Sequence, residues 1–249
     1  MNLTATSAIA LSALLSATVV STQAMAAEPD YTLAYNVGVT TDYRFRSIAQ
    51  SSFKPAVQGG VDFSHKSGAY AGVWGSNVNW VKDFAGATEG SLELDLYGGY
   101  KGELMKGLGF DIGFIGYLYP SNNATTNANT TEIYAALTYG PVTAKYSRSL
   151  SNFVANANSS GSQYLEAAAT FDLGNGFSVT PHVGRQIVPN QTSSADYTDF
   201  SLTVSKDFGK GIAASLALVT TDAKDGFYKV GSVDNLGKNG LVAGLKYSF

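Results

Sequence analysis

From Tyr31 to the last residue the chain is a succession of segments with apolar side chains at every second position. The links between these segments alternate strictly between short and long. Period-two alternation marks a strand with one apolar face. In the first segment Tyr31, Leu33, Tyr35, Val37, Val39 and Tyr43 share one face, and Asn36, Gly38, Thr40 and Asp42 the other. Later segments are expected near Ala56–His65, Ala69–Val78, Ser91–Gly102, Phe110–Leu118, Thr131–Tyr139 and Val142–Ser149. The series continues near Ser162–Leu173, Phe177–Ile187, Tyr197–Phe208, Ile212–Thr221 and Gly240–Phe249, giving 12 strands. Five links are short, such as Lys66–Gly68 and Gly140–Pro141, and six are long and polar. Tight turns at one end and long loops at the other are the asymmetry of an outer-membrane barrel. The strands are near the roughly 9–11 residues that cross a bilayer at a tilt. The expected fold is therefore all-β: a transmembrane antiparallel up-and-down barrel of about 12 strands over residues 27–249. Hydrocarbon enforces closure, because an open edge would leave backbone groups unpaired at several kcal/mol each.

The last nine residues agree. Leu241, Ala243, Leu245, Tyr247 and Phe249 fall on one side of a strand, and Val242, Gly244, Lys246 and Ser248 on the other. Outward aromatics at a strand end suit the boundary between acyl chains and water. A closing strand ending in Phe249, with Tyr247 two residues earlier, resembles the signal that the barrel assembly machinery reads. Phe110, Tyr139, Phe171, Phe177, Phe208 and Phe249 sit beside short turns or the terminus and form an expected periplasmic girdle. Tyr43, Trp80, Tyr119 and Phe200 are assigned to the outer one. At the other end Ala8–Val20 is apolar and of signal-peptide length, followed by Ala24-Met25-Ala26, so residues 1–26 read as a secretory signal peptide. No Lys or Arg precedes that core.

Composition narrows the function classes. With no Cys the chain has no disulfide, thiolate chemistry or sulfur-ligated metal, and its two His offer little for a metal site. A net charge of −3 gives no basic footprint for nucleic acid. No cofactor is expected, and no Gly-x-Ser-x-Gly motif is present.

Between Tyr35 and Lys101 the chain carries Asn36-Val37-Gly38, Asp42-Tyr43-Arg44-Phe45-Arg46, Gln58-Gly59-Gly60-Val61-Asp62, Tyr70–Asn77 and Glu93–Tyr100. These residues resemble the TorF-type family of porin-like proteobacterial outer-membrane proteins. The resemblance extends over essentially the whole mature chain. It implies an outer-membrane location and a pore, and no particular solute. Ser47 departs from the family's pattern, where Gly follows the second Arg.

If the apolar positions face lipid, their neighbours line the interior. The interior candidates are Asn36, Asp42, Arg44, Arg46, Asp62, Glu93, Asp95, Tyr97, Lys101, Asp111, Glu132, Lys145, Glu166, Asp172, His182, Asp199, Ser201, Thr203, Ser215 and Lys246. Asp42, Arg44, Arg46, Glu93, Glu132 and Asp199 fall at the ends joined by long loops. Acids exceed bases there, which favours a diffusion pore for small cationic or neutral solutes. The alternative is a structural or adhesive barrel whose charges pair and plug the lumen. A lipid-active barrel enzyme is a third reading; His182 shares its parity with Ser178 and Thr180 and points inward, away from lipid. Arg148 and Arg185 keep the parity of lipid-facing residues near external strand ends and are candidates to contact lipopolysaccharide phosphates.

Overall fold

The structure is a computed structural model that describes residues 29–249. The expected signal segment, residues 1–26, lies outside the described residues. The strands are β1 (Tyr31–Thr40), β2 (Arg44–Phe45), β3 (Ile48–Ala49), β4 (Ala56–His65), β5 (Ala69–Asn77), β6 (Leu92–Met105), β7 (Leu108–Leu118) and β8 (Thr130–Tyr139). They continue as β9 (Val142–Ser149), β10 (Gln163–Ala169), β11 (Phe171–Gly174), β12 (Phe177–Ile187), β13 (Tyr197–Gly209), β14 (Ile212–Thr221) and β15 (Gly240–Ser248).

β2 and β3 form a small hairpin of their own. The other segments build one antiparallel wall, with β10 and β11 as two parts of a single strand, so the wall has twelve strands as expected. It is closed: β1 pairs with β4 on one side and β15 on the other, and β10 pairs with both β9 and β12. The split between β10 and β11 has a local cause. The register that sets Ala168 opposite His182 and Phe171 opposite Val179 places Pro181 beside the break. Pro181 has no N–H to donate, so one rung of the ladder is missing there.

Burial separates the two faces. Leu241 is 64 % and Phe249 63 % exposed, whereas Glu132 is 1 % and Asp199 0 %. Apolar side chains outside and acids inside invert a soluble core, as a barrel in lipid requires. Tyr139, Phe171, Phe177, Phe208 and Phe249 are exposed beside the short turns, and Phe200 is exposed near a long loop. Tyr43, Trp80 and Tyr119 are not in an outer girdle: all three are buried. The chain leaves β1 after Thr40 and turns into the barrel, carrying Tyr43 with it, and Trp80 packs edge-on against Tyr119 with ring centroids 5.1 Å apart. In β5 the exposed side is that of Ala71, and Trp74 and Ser76 are buried inside. Asp172 is exposed beside its short turn, where its carboxylate accepts from the Gly174 N–H at 2.8 Å.

Candidate channel lumen

The inward face of the wall has two unlike halves. On β5–β8 and β10 it carries Tyr70, Trp74, Tyr97, Tyr117, Tyr134 and Tyr164. These rings lie down because glycines make room. Tyr97 sits opposite Gly72, where an added Cβ would overlap the ring, and Tyr70 covers Gly99 in the same way. On β12–β15 and β1 the inward residues are small: Ser201, Thr203, Ser205, Ser215, Ala217, Gly244 and Gly38 among them. A cavity of about 370 Å³ lies between this smooth half and the rings of Trp74, Tyr97, Tyr117 and Tyr164. Its lining runs from Ser178, Ser205 and Ala213, close to the short turns, to Asp42 and Ser47 at the long-loop end.

The long-loop end of the lumen is occupied by residues 41–55. The hairpin of β2 and β3 reverses at Arg46 and Ser47, which both take positive φ, +48° and +67°. Two such residues in succession make the turn that suits the twist of a hairpin. Glycine adopts that conformation most readily. Ser47 adopts it here, and its hydroxyl donates to Asp199 Oδ1 at 2.9 Å. A glycine at this position would have no such anchor.

The two arginines hold this hairpin in place. Arg44 Nε donates to Asp42 Oδ2 at 2.5 Å, and its Nη1 reaches the carbonyl of Lys238 at 2.9 Å in the last long loop. Arg46 spans the lumen. It pairs with Glu132 at 2.5 Å, donates to Gln186 Oε1 at 2.9 Å, and lies over the rings of Phe45, Phe153 and Tyr164 at 4.4–5.4 Å. Backbone bonds add to this: Ala49 N–H donates to the Leu236 carbonyl at 2.8 Å, and the Gln50 carbonyl accepts from Asn79 and Trp80. Tyr43 donates to Glu93 Oε1 at 2.8 Å. Burial, and next the negative field of Glu93 and Asp95, hold the Tyr43 phenol well above its ordinary range, so it remains a donor.

Six of the other inward candidates fall into two groups, while Asp62 and Asp111 accept from the hydroxyls of Tyr97 and Tyr70. Lys145 and Glu166 are directly opposed across β9 and β10. His182 lies between two carboxylates, with Nε2 3.0 Å from Glu166 and Nδ1 3.5 Å from Asp199, and Tyr164 donates to Asp199 Oδ2 at 2.9 Å. Among the described residues no serine hydroxyl is bonded to His182; that of Ser47 goes to Asp199 instead. Glu93 and Asp95 form the second group, in the aromatic half, and none of the ion pairs among the described residues includes either. Sequence reasoning placed these residues and Tyr97 inside by parity but missed the rest of the aromatic wall, since Tyr70 and Trp74 read equally well as lipid-facing. Among the described residues no group of three or more metal-ligating side chains converges.

Outside the barrel, Arg148 and Arg185 are exposed, as parity predicts. Arg148 is opposite Gln163 and Arg185 opposite Leu165, so they flank β10. Two strand spacings and the two-residue offset along β10 put their Cα atoms about 12 Å apart. Arg185 also donates to Thr198 Oγ1 at 3.1 Å. At the seam, Phe249 and Tyr35 exchange backbone hydrogen bonds of 2.9 and 3.0 Å, and Tyr247 stacks on Phe249 with centroids 5.4 Å apart.

Comparison with known proteins places this geometry. The chain belongs to a bacterial protein family of unknown function, Gcw_chp, whose family model matches residues 23–249. The TorF-type name is not part of that description. No curated protein matches the sequence. Among solved structures, the NanC porin is similar with a TM-score of 0.55 at 11 % identity, covering 88 % of this chain and 99 % of that one. The KdgM porin in complex with disordered oligogalacturonate gives 0.54 at 8 % identity, covering 87 % and 98 %. The COG4313 outer membrane channel from Pseudomonas putida F1 gives 0.50 at 12 % identity, covering 91 % and 99 %. At these identities the likeness is one of fold; the three proteins named are two porins and an outer membrane channel.

Proposed function

We propose that this member of the Gcw_chp family is an outer-membrane channel for passive diffusion of small cationic or neutral solutes. The observation that carries the reading is the cavity along the small-residue half of the wall, which runs from the short-turn end to the inserted hairpin. Packing of a lumen for strength alone would put large side chains on all strands; here β12–β15 and β1 present mostly Ser, Thr, Ala and Gly. The cation preference rests on the pairing. Arg44 and Arg46 are each taken up by one carboxylate, Asp42 and Glu132, which leaves Glu93, Asp95 and Asp199 as acids without an arginine partner. Carboxylates walled by low-dielectric protein focus a negative potential on the path beside them. The similarity to porins supports the class of protein and not the solute.

The second reading, a structural or adhesive barrel with a shut lumen, is favoured by the hairpin itself, which is bonded on several sides. Planar-bilayer recording separates the two. A channel gives unitary current steps, and a plugged barrel gives none. Enzymatic action on lipid is not proposed: His182 faces inward between two acids, away from the lipid face.

The remaining elements fit a life in the outer membrane. Residues 1–26 would direct export. Tyr247 and Phe249 would be read by the barrel assembly machinery. Arg148 and Arg185 would meet lipopolysaccharide phosphates, which a guanidinium binds in a bidentate way.

A further inference from the structure

Glu93 and Asp95 are two residues apart on the inward face of β6, so their Cα atoms are about 6.5–7 Å apart. Both are buried, Asp95 to 7 % exposure. Glu93 receives the Tyr43 hydroxyl, yet Asp95 Oδ1 has no hydrogen-bond partner, nor has Glu93 Oε2. The loop arginines are committed elsewhere, Arg44 to Asp42 and Arg46 to Glu132. A carboxylate removed from water without a partner is costly unless a cation or donor meets it.

The surroundings say what kind of cation. Asp95 is directly opposite Trp74 on β5 and Tyr117 on β7, and Tyr97 follows it on the same face. Tyr43 closes the remaining side, edge-on to Trp74 at 5.4 Å. Asp95, Tyr43, Trp74, Tyr97 and Tyr117 all line the cavity, so the group borders the space that a solute would enter. A compact metal ion needs several oxygen ligands, and no cluster of three or more such side chains is present among the described residues. Aromatic faces around a carboxylate instead suit a cation with apolar substituents, held by ring quadrupoles and by charge.

We propose that Asp95, with Glu93 behind it and Tyr43, Trp74, Tyr97 and Tyr117 around it, forms a binding site for organic ammonium compounds within the lumen. This deepens the channel reading, on which it rests, by naming the class of solute. It makes the aromatic half of the wall a recognition surface and the small-residue half the free path beside it.

The test uses the chain's own reporters. Its two tryptophans are Trp74, in the site, and Trp80, which packs on the neighbouring Tyr119. Refolded protein in detergent is titrated with tetramethylammonium chloride and, at matched ionic strength, with sodium chloride. The expected result is a saturable change in tryptophan emission with tetramethylammonium and none with sodium, weakened at least tenfold in Asp95→Asn. No saturable change in the wild type, or the same change with sodium, overturns the site without recourse to a variant. So does a folded Asp95→Asn that titrates like the wild type. Bilayer recording on the same preparation keeps the two proposals apart. Unitary currents without tetramethylammonium binding leave the channel standing and remove the site, while binding without current does the reverse.

Discussion

Arg46 and Glu132 are 86 residues apart in the chain and meet at 2.5 Å inside the barrel, joining the tip of the first long loop to the far wall. Both side chains are almost fully buried. A buried pair is expensive to break from one side, because the partner's charge remains. Arg46→Ala should therefore lower stability by about 3–5 kcal/mol. With its tip released, the hairpin should also obstruct less, so the unitary conductance should rise. Thermal unfolding and single-channel recording on the same variant check both. A conductance equal to wild type would mean that residues 41–55 do not border the path.

Ser47 offers a finer test of the same hairpin. At φ +67° serine is strained where glycine is not, but its hydroxyl bonds to the carboxylate of Asp199. A hydrogen bond to a charged group contributes about 1.5–3 kcal/mol. Relief of a left-handed residue is worth about 1–2 kcal/mol. Ser47→Gly should thus lie close to wild type in unfolding free energy, and Ser47→Ala, which keeps the strain and loses the bond, should fall about 1.5–3 kcal/mol below it. Equal stability of the Gly and Ala variants would remove the strain from the explanation.

Much of this was legible in the sequence, for physical reasons that differ by region. Lipid imposes one apolar face on every crossing, so the period-two pattern located all twelve strands, and Val142–Ser149 and Ile212–Thr221 have the expected bounds. The same parity put Glu93, Glu132, Lys145, His182 and Asp199 inside. What stayed hidden lies where parity carries no information. Tyr43 continues the outward rhythm of β1 on paper, but the chain leaves the wall after Thr41, the last residue bonded to β15 there. In β5, Trp74 and Tyr70 alternate with Ala71 and Val73, all of them acceptable to lipid; only the opposed Gly99 and Gly72 show which face has room for rings. That residues 41–55 fold inward depends on partners in β6, β8, β12, β13 and two other long loops, which no local pattern encodes.

At the seam, Phe249 is both a rung and a ring. Its deletion removes the two backbone bonds to Tyr35 and the stacks with Tyr35 and Tyr247. Each lost bond costs about 1 kcal/mol in ordinary settings and more in lipid. Deleting Phe249 should sharply lower the amount of heat-modifiable, folded protein in the outer membrane. Normal amounts would separate the terminal residue from assembly.

On the outer surface, Arg148→Ala with Arg185→Ala should lower thermal stability in bilayers containing lipopolysaccharide, by about 1–3 kcal/mol for a charge-assisted contact. In phospholipid alone the loss should be smaller, since an arginine near the interface costs only about 0–1 kcal/mol to hold there. Equal losses in the two bilayers would assign these arginines to snorkelling, or in the case of Arg185 to its bond with Thr198.

The central claim is that the lumen conducts and that acids without an arginine partner bias it toward cations. The most direct measurement is the reversal potential of single channels under a salt gradient in a planar bilayer. The wild type should show unitary steps and a modest cation preference that fades as salt rises, since charges are screened over about 10 Å at 0.1 M. Glu93→Gln with Asp199→Asn should shift the reversal potential toward that of an unselective pore. An anion-selective wild type, or a barrel that passes no current, would contradict the account.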